Sequence, residues 1–389
     1  MAQRNLMANR DDRMLLMPTL FDPVKLGGIA APNRVLMSPL TRCRSTKNHV
    51  PVPMMGEYYA QRASAGLIIA EATGISQEGM GTCFAPGIWN DEQVEAWKPI
   101  VEAVHQAGGQ IICQLWHMGR LVHPDFLDGA PPVSASATTG PGNTRTYAGK
   151  KPYETARALP LNEIPRVLAD YELAAANAKR AGFDGVQLHA ANGYFIDQFI
   201  RSNSNLRDDD YGGSIDNRIR LLIEVTQRLA DVWGADRVSV RMSPNGDSQG
   251  ADDATPVETF TAAAKALNSI GIGFLELREP PPYGTYGNTD IPAVSPDIRK
   301  VFHQPLVLNS DYDKARAQAA LDAGVCDAIA FGRTFITNPD LVERLRIDAP
   351  LNPALGGKTP WDFTPTWYSQ GAEGYIDYPA LSDIKASAA

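Results

Sequence analysis

The sequence predicts a single (β/α)8 TIM barrel, and three observations carry the prediction. Eight short runs rich in apolar and β-branched residues recur along the chain, most of them followed by a stretch of helical periodicity. Nearly all the runs are continuously apolar, as in parallel strands covered on both faces. Eight such units spread over most of a 389-residue chain favour one closed barrel over an open sheet.

The elements follow in order. Met1 to Arg13 is polar with no apolar period, so residues 1–16 are expected to form a flexible tail and residues 17–389 the barrel. Leu20–Gly27 is expected to make a short N-terminal hairpin closing the bottom. Strands are expected at Val35–Ser38, Leu67–Glu71, Ile111–Leu115, Gly185–His189, Val238–Met242, Gly273–Leu277, Leu306–Asn309 and Ala328–Phe331. Helical patterns fall at Met54–Ala65, Asp91–Ala107, Ile164–Ala181, Asn217–Trp233, Val257–Ile270 and Asp313–Ala323. After the third strand comes a long insertion, His117–Pro160, rich in Gly, Pro, Ser and Thr, with short strands or turns suggested at Ser134–Ala137 and Thr144–Lys150. A loop of that length is usually functional or disordered; at the end of a barrel where active sites form, a lid is expected.

Composition narrows the function. A net charge of −8, without any long run of Lys or Arg, argues against a nucleic-acid partner. No window approaches the roughly 20 apolar residues of a membrane span, and the N-terminus lacks the apolar core of a signal peptide. The four cysteines, Cys43, Cys83, Cys113 and Cys326, form no C-x-x-C pair, and the histidines show no metal spacing. That argues against a metal site and for a reducing cytoplasm, with Cys113 and Cys326 as core thiols.

The segment Gly185–Tyr194 is the most informative. A strand ends in His189, Asn192 and Tyr194, at i, i+3 and i+5, so one strand end and its loop can aim all three at one point. Two donors on a carbonyl oxygen with an acid beside them would polarise that carbonyl and protonate a neighbouring carbon. A strand-capping histidine, a turn asparagine and a packed tyrosine fit the same residues. The other strand ends weigh against that plainer account, because polar groups cluster there too: Ser38–Thr41, Glu71–Thr73, Gln114–His117, Arg241, Asn309–Asp311 and Gly332–Arg333. Gln114 matches the donor–acceptor edge of an isoalloxazine. Arg241 on a strand needs an anion, met either by a buried salt bridge or by reduced flavin. Ser310 and Gly332–Arg333, after the seventh and eighth strands, stand where barrels bind phosphate. No G-x-G-x-x-G opens a helix after a strand, which argues against a Rossmann site.

The motifs Asn33–Arg42, Gln114–Arg120, His189–Tyr194, Asp209–Ser214 with Asn217 and Arg218, Val240–Pro244, Phe331–Arg333 and Trp367–Tyr368, in that order, resemble the old yellow enzyme family of FMN-dependent ene-reductases. Within it the chain is similar to the branch of N-ethylmaleimide and pentaerythritol tetranitrate reductases. The resemblance runs from about Leu20 to Pro379. It implies FMN at the barrel mouth, reduced by NADPH or NADH in the same pocket. It implies that Pro39, Leu40 and Thr41 face the flavin, that Ala72 and Gln114 meet its pyrimidine edge, that Arg241 neutralises the N1–O2 locus, and that Ser310, Gly332 and Arg333 hold the phosphate. It further implies that His189 and Asn192 grip a substrate carbonyl, that Tyr194 donates the proton, and that Trp116 and Tyr368 shape the substrate pocket. The reaction implied is reduction of the activated C=C bond of enones, enals, maleimides or nitroalkenes, by a monomer or homodimer. The cluster Asn205, Arg207, Asp209 and Tyr211 resembles a loop-bracing segment. The chain departs from common family patterns in four places: Arg201-Ser202-Asn203-Ser204 runs where members often carry Pro near Ser202, Asn309-Ser310-Asp311 replaces a Gly-rich turn, Thr41 stands where one branch has Cys, and Asn192 stands where some members have a second His. The alternative is a flavin-free barrel acting on phosphorylated aldehydes or sugars, with Arg333 on the phosphate and His189 and Tyr194 as acid and base; it leaves Gln114 and Arg241 without a partner.

Overall fold

The computed structural model describes residues 17–284, 289–355 and 365–387. Eight parallel strands close on themselves: β1 Val35–Met37, β2 Ile68–Ile69, β3 Ile111–Trp116, β4 Val186–His189, β5 Val238–Met242, β6 Phe274–Arg278, β7 Leu306–Asn309 and β8 Ala328–Phe331. Each pairs with the next, and β8 pairs back onto β1 through Ile329↔Val35 and Phe331↔Met37. The expected tail, residues 1–16, lies outside the described residues.

Strand parity sorts the side chains. Val186 and Leu188 join the large outer core beneath the helices, as do Cys113, Leu115, Val238 and Val240. Leu36, Ile69, Ile112, Phe274, Val307 and Ala330 form a separate inner cluster at the bottom. One layer higher the same inward parity carries Ser38, Gln114, Gln187, Arg241 and Glu276, all buried. The barrel is therefore apolar below and polar just under its mouth, which places the site at the C-terminal ends of the strands.

Several expectations shift by a few residues. The bottom hairpin pairs Val24–Leu26 with Ile29–Ala31, not Leu20–Gly27, because the turn falls on Gly27-Gly28. Gly27 has φ +62°, and a Cβ there would lie 2.2 Å from the Asp236 carbonyl oxygen. The second strand stops at Ile69 rather than Glu71, since the Glu71 N–H turns to the Tyr59 hydroxyl (3.0 Å). The chain rejoins the sheet at Thr73–Gly74 against Leu115–Trp116. The first helix ends at Ala60, its following turns bonding three residues back. The pattern Asn217–Trp233 begins earlier, at Ile215 behind the Ser214 cap, and is divided at Ile219.

In the insertion, Val133–Ser134 pairs in parallel with Arg157–Ala158, and Asn143–Thr146 forms a hairpin with Gly149–Pro152. Asp125 pins that hairpin through Thr146 Oγ1 (2.8 Å) and Lys151 Nζ (2.7 Å). Arg207 braces its base, donating to the carbonyls of Ala135 (2.9 Å) and Leu159 (2.7 Å) while paired with Asp209; Asn205 donates to the carbonyls of Phe199 and Tyr211 (2.7 Å each). That cluster is structural. Cys113 and Cys326 are buried thiols. No helix among the described residues is long and apolar enough to cross a membrane.

Candidate active site

A cavity of about 580 Å³ opens at the barrel mouth, lined by all the residues that the resemblance assigns to cofactor and substrate: Pro39, Leu40, Thr41, Ala72, Gln114, Trp116, His189, Asn192, Tyr194, Arg241, Ser310, Gly332, Arg333 and Tyr368. Such a volume suits a cofactor with a small substrate.

One wall is aromatic. Tyr194 meets Trp116 edge-on with ring centroids 5.0 Å apart, and His189 likewise at 4.9 Å. His189 ends β4 and is buried; its Nδ1, out of reach of solvent, has no hydrogen-bond partner among the described residues. Burial, reinforced by the nearby Arg241 charge, pushes its pKa well below the ordinary histidine value, so it is neutral at working pH. Trp116 Nε1 and Asn192 Oδ1 are likewise buried without partners among the described residues. Buried polar atoms are nearly always satisfied, so this group is built to meet a ligand.

The loop carrying Asn192 is held from behind. Asn192 takes φ +60° and Gly193 φ +74°. The Asn192 N–H donates to Ser243 Oγ (2.7 Å), and its carbonyl accepts from Gln249 Nε2 (2.8 Å). The Gly193 N–H donates to Asp197 Oδ2 (2.8 Å) on the short helix Phe195–Ile200. Arg201, fully buried, donates from Nε to Asp197 Oδ1 (2.9 Å), from Nη1 to the Gly246 carbonyl (2.9 Å), and from Nη2 to the Ser243 carbonyl.

The floor is the polar layer of the barrel. Arg241 Nε pairs with Glu276 Oε1 at 3.0 Å, and its Nη2 donates to Asn309 Oδ1 at 2.8 Å. Both the salt-bridge account of Arg241 and its place in the cavity hold. Gln114 Nε2 donates to Gln187 Oε1 (2.7 Å). The turn after β7 keeps a glycine-like backbone without glycine: Ser310 has φ +128° and Asp311 φ +48°. Such backbone persists where the surroundings enforce it, commonly at ligand sites. Arg333, opening a short helix after Gly332, pairs with Asp311.

The C-terminal segment reaches the rim through two buried arginines. Arg42 Nε and Arg44 Nη1 both donate to the Trp367 carbonyl (3.2 and 2.5 Å), and Trp367 Nε1 donates to the Thr41 carbonyl (3.0 Å). Tyr368 thereby stands half-exposed at the opening. Sequence reasoning missed Gln187 and Glu276 beneath the floor, and in the cavity wall Arg278 and Thr82–Phe84; the facing wall, Asn143–Tyr147, belongs to the insertion expected to act as a lid. Inward parity with Arg241 marks Glu276, through the register Arg241↔Glu276.

The donor set fits FMN. An amide (Gln114) and a guanidinium (Arg241) both lie on the floor, a turn of positive φ with an arginine lies to one side, and unsatisfied polar groups face the space between. A closed (β/α)8 barrel with such a mouth defines a flavin-dependent oxidoreductase. The model of the NADH:flavin oxidoreductase / NADH oxidase family matches residues 19–352. The old yellow enzyme homologue from Zymomonas mobilis superposes with a TM-score of 0.90 at 58% identity, covering 94% of this chain and 100% of that one. Morphinone reductase in complex with tetrahydroNAD gives a TM-score of 0.86 at 43% identity, covering 94% and 98%. The 12-oxophytodienoate reductase 7 of Oryza sativa subsp. japonica is 38% identical over 389 residues, covering 94% of this chain and 96% of that protein. The chain belongs to this family, that of the old yellow enzymes. It is an FMN enzyme with a nicotinamide reductant, acting on small molecules. The flavin-free sugar-phosphate alternative is not favoured.

Stability should carry the mark of the neutral imidazole. Below the ordinary histidine pKa the unfolded chain binds a proton that folded His189 refuses, so stability falls as pH drops through that window. His189→Gln is expected to flatten this acid dependence, read as the denaturant midpoint between about pH 7 and about pH 5. Parallel curves for the two proteins would show that His189 titrates normally.

Proposed function

We propose that the enzyme uses NADPH or NADH to reduce the activated C=C bond of α,β-unsaturated aldehydes, ketones, imides and nitroalkenes. The observation that carries this reading is the pair of buried ring nitrogens, His189 Nδ1 and Trp116 Nε1, without partners among the described residues, in the wall they share with Tyr194. When bound, FMN supplies the two-electron chemistry, accepting hydride from NAD(P)H and delivering it to the substrate's β-carbon. Gln114 and Ala72 would hold its pyrimidine edge, Arg241 its N1–O2 locus, Pro39, Leu40 and Thr41 its ring, and Ser310, Gly332 and Arg333 its phosphate.

The chain's own residues do the rest. His189, neutral, donates a hydrogen bond to the carbonyl oxygen without surrendering a proton, and Asn192 Nδ2 donates a second. Together they draw electron density toward oxygen and leave the β-carbon electrophilic. The Tyr194 hydroxyl gives its proton to the α-carbon. Trp116 and Tyr368 bound the substrate, and Tyr194 and Trp116 keep water from the reacting carbons. The enzyme works in the cytoplasm as a monomer or homodimer, in keeping with its free thiols.

The test is spectroscopic. The purified protein should be yellow, bleach on anaerobic NADPH, and regain colour on 2-cyclohexenone. A colourless protein that takes up no FMN would overturn the assignment; bleaching without recovery would remove enones from the substrates. His189→Ala is expected to weaken phenol ligands by roughly 1–3 kcal/mol, about 5- to 150-fold in Kd. Unchanged phenol affinity would exclude His189 from oxygen binding.

A further inference from the structure

Beneath the cavity, a hydrogen-bonded chain links the two floor residues assigned to the flavin. Gln114 Nε2 donates to Gln187 Oε1 (2.7 Å), and Gln187 Nε2 donates to Glu276 Oε2 (2.9 Å). Glu276 Oε1 accepts from Arg241 Nε (3.0 Å) and from Ser38 Oγ (3.3 Å). Ser38, Gln114, Gln187, Arg241 and Glu276 are all buried, and Gln187 and Glu276 do not line the cavity.

Direction runs one way along this chain. A carboxylate paired with Arg241 offers only acceptors. Gln187 must therefore turn its NH₂ toward Glu276, which leaves its oxygen facing Gln114. Gln114 must answer with its own NH₂, so its oxygen is the end without a protein partner. Reversing either amide would set oxygen against oxygen in a buried site, where an unmade bond is costly. The same carboxylate offsets the charge of Arg241.

We infer that Gln187 and Glu276 are positioning residues for the cofactor: Glu276 fixes, through Gln187, which end of the Gln114 amide meets the flavin, and it sets how much positive charge Arg241 presents to it. This rests on the reading of Gln114 and Arg241 as FMN contacts. Glu276 is thus both the anchor of the hydrogen-bond order and a control on the reduction potential.

The experiment measures FMN dissociation constants and the two-electron midpoint potential of the holoenzyme for Glu276→Gln, Gln187→Met and, as a control, Arg241→Gln. Glu276→Gln frees the Arg241 charge. The ratio of affinities for reduced over oxidised FMN should rise about tenfold, a midpoint shift of about +30 mV. Gln187→Met keeps the ion pair and severs the relay. It should weaken both redox states by a similar factor, at least threefold, with little change in midpoint, and it stands as an independent test should Glu276→Gln not fold. A lowered midpoint for Arg241→Gln beside parental values for both other variants would overturn the relay and leave the FMN contacts standing. An unmoved midpoint and FMN affinity for Arg241→Gln would remove the contact reading, and the relay with it.

Discussion

Tyr194→Phe is expected to slow enone reduction by roughly 10²- to 10⁴-fold, the usual contribution of a positioned general acid, while sparing the reduction of FMN by NAD(P)H. The substitution removes one oxygen and keeps the ring. Its packing against Trp116 and His189, at centroid distances of 5.0 and 4.9 Å, is retained, so the cavity wall should not move. Only the half-reaction that consumes a proton at carbon should suffer. Stopped-flow measurement of the two half-reactions separates the outcomes. Equal losses in both would mean that Tyr194 shapes the pocket; no loss in either would place the acid elsewhere.

Arg201→Ala is expected to cost about 3–5 kcal/mol of stability, because it leaves the Asp197 carboxylate buried without its countercharge. Both side chains are fully buried, and burial already pushes the Asp197 pKa up against the opposing pull of Arg201. The same arginine donates to the Ser243 and Gly246 carbonyls, and Ser243 Oγ holds the Asn192 backbone. The variant should therefore also bind carbonyl ligands less tightly. Equilibrium unfolding in urea, followed by tryptophan fluorescence, reads the first effect and phenol titration the second. A loss below about 1 kcal/mol would mean that the pair is dispensable. Replacing both Asp197 and Arg201 with leucine should recover much of the stability, since no charge is then stranded.

The strands of the barrel were legible because each is buried on both faces and most of its residues are apolar, as in Leu306–Asn309 and Ala328–Phe331. The helix Phe195–Ile200 was not: all of its residues are buried, so it shows no amphipathic period. The short helices Ser295–Arg299 and Leu341–Arg346 escaped because each spans little more than one turn. The site residues on strand ends were read from their place after apolar runs, and motif resemblance gave them roles. Gln187 and Glu276, two steps inside β4 and β6, passed as strand interior.

By itself the sequence determined the barrel, the order of its strands and the identity of the chemical groups at its mouth, because strand period and the residue after each strand are local properties. Only the tertiary structure decided which of those groups remain unsatisfied. Gln114 and Arg241 are tied to each other through Gln187 and Glu276, whereas His189 Nδ1 and Asn192 Oδ1 find no partner among the described residues. Hydrogen bonding between strands depends on register and closure, and on distances between residues as far apart in sequence as Ser38 and Glu276, which no local pattern encodes.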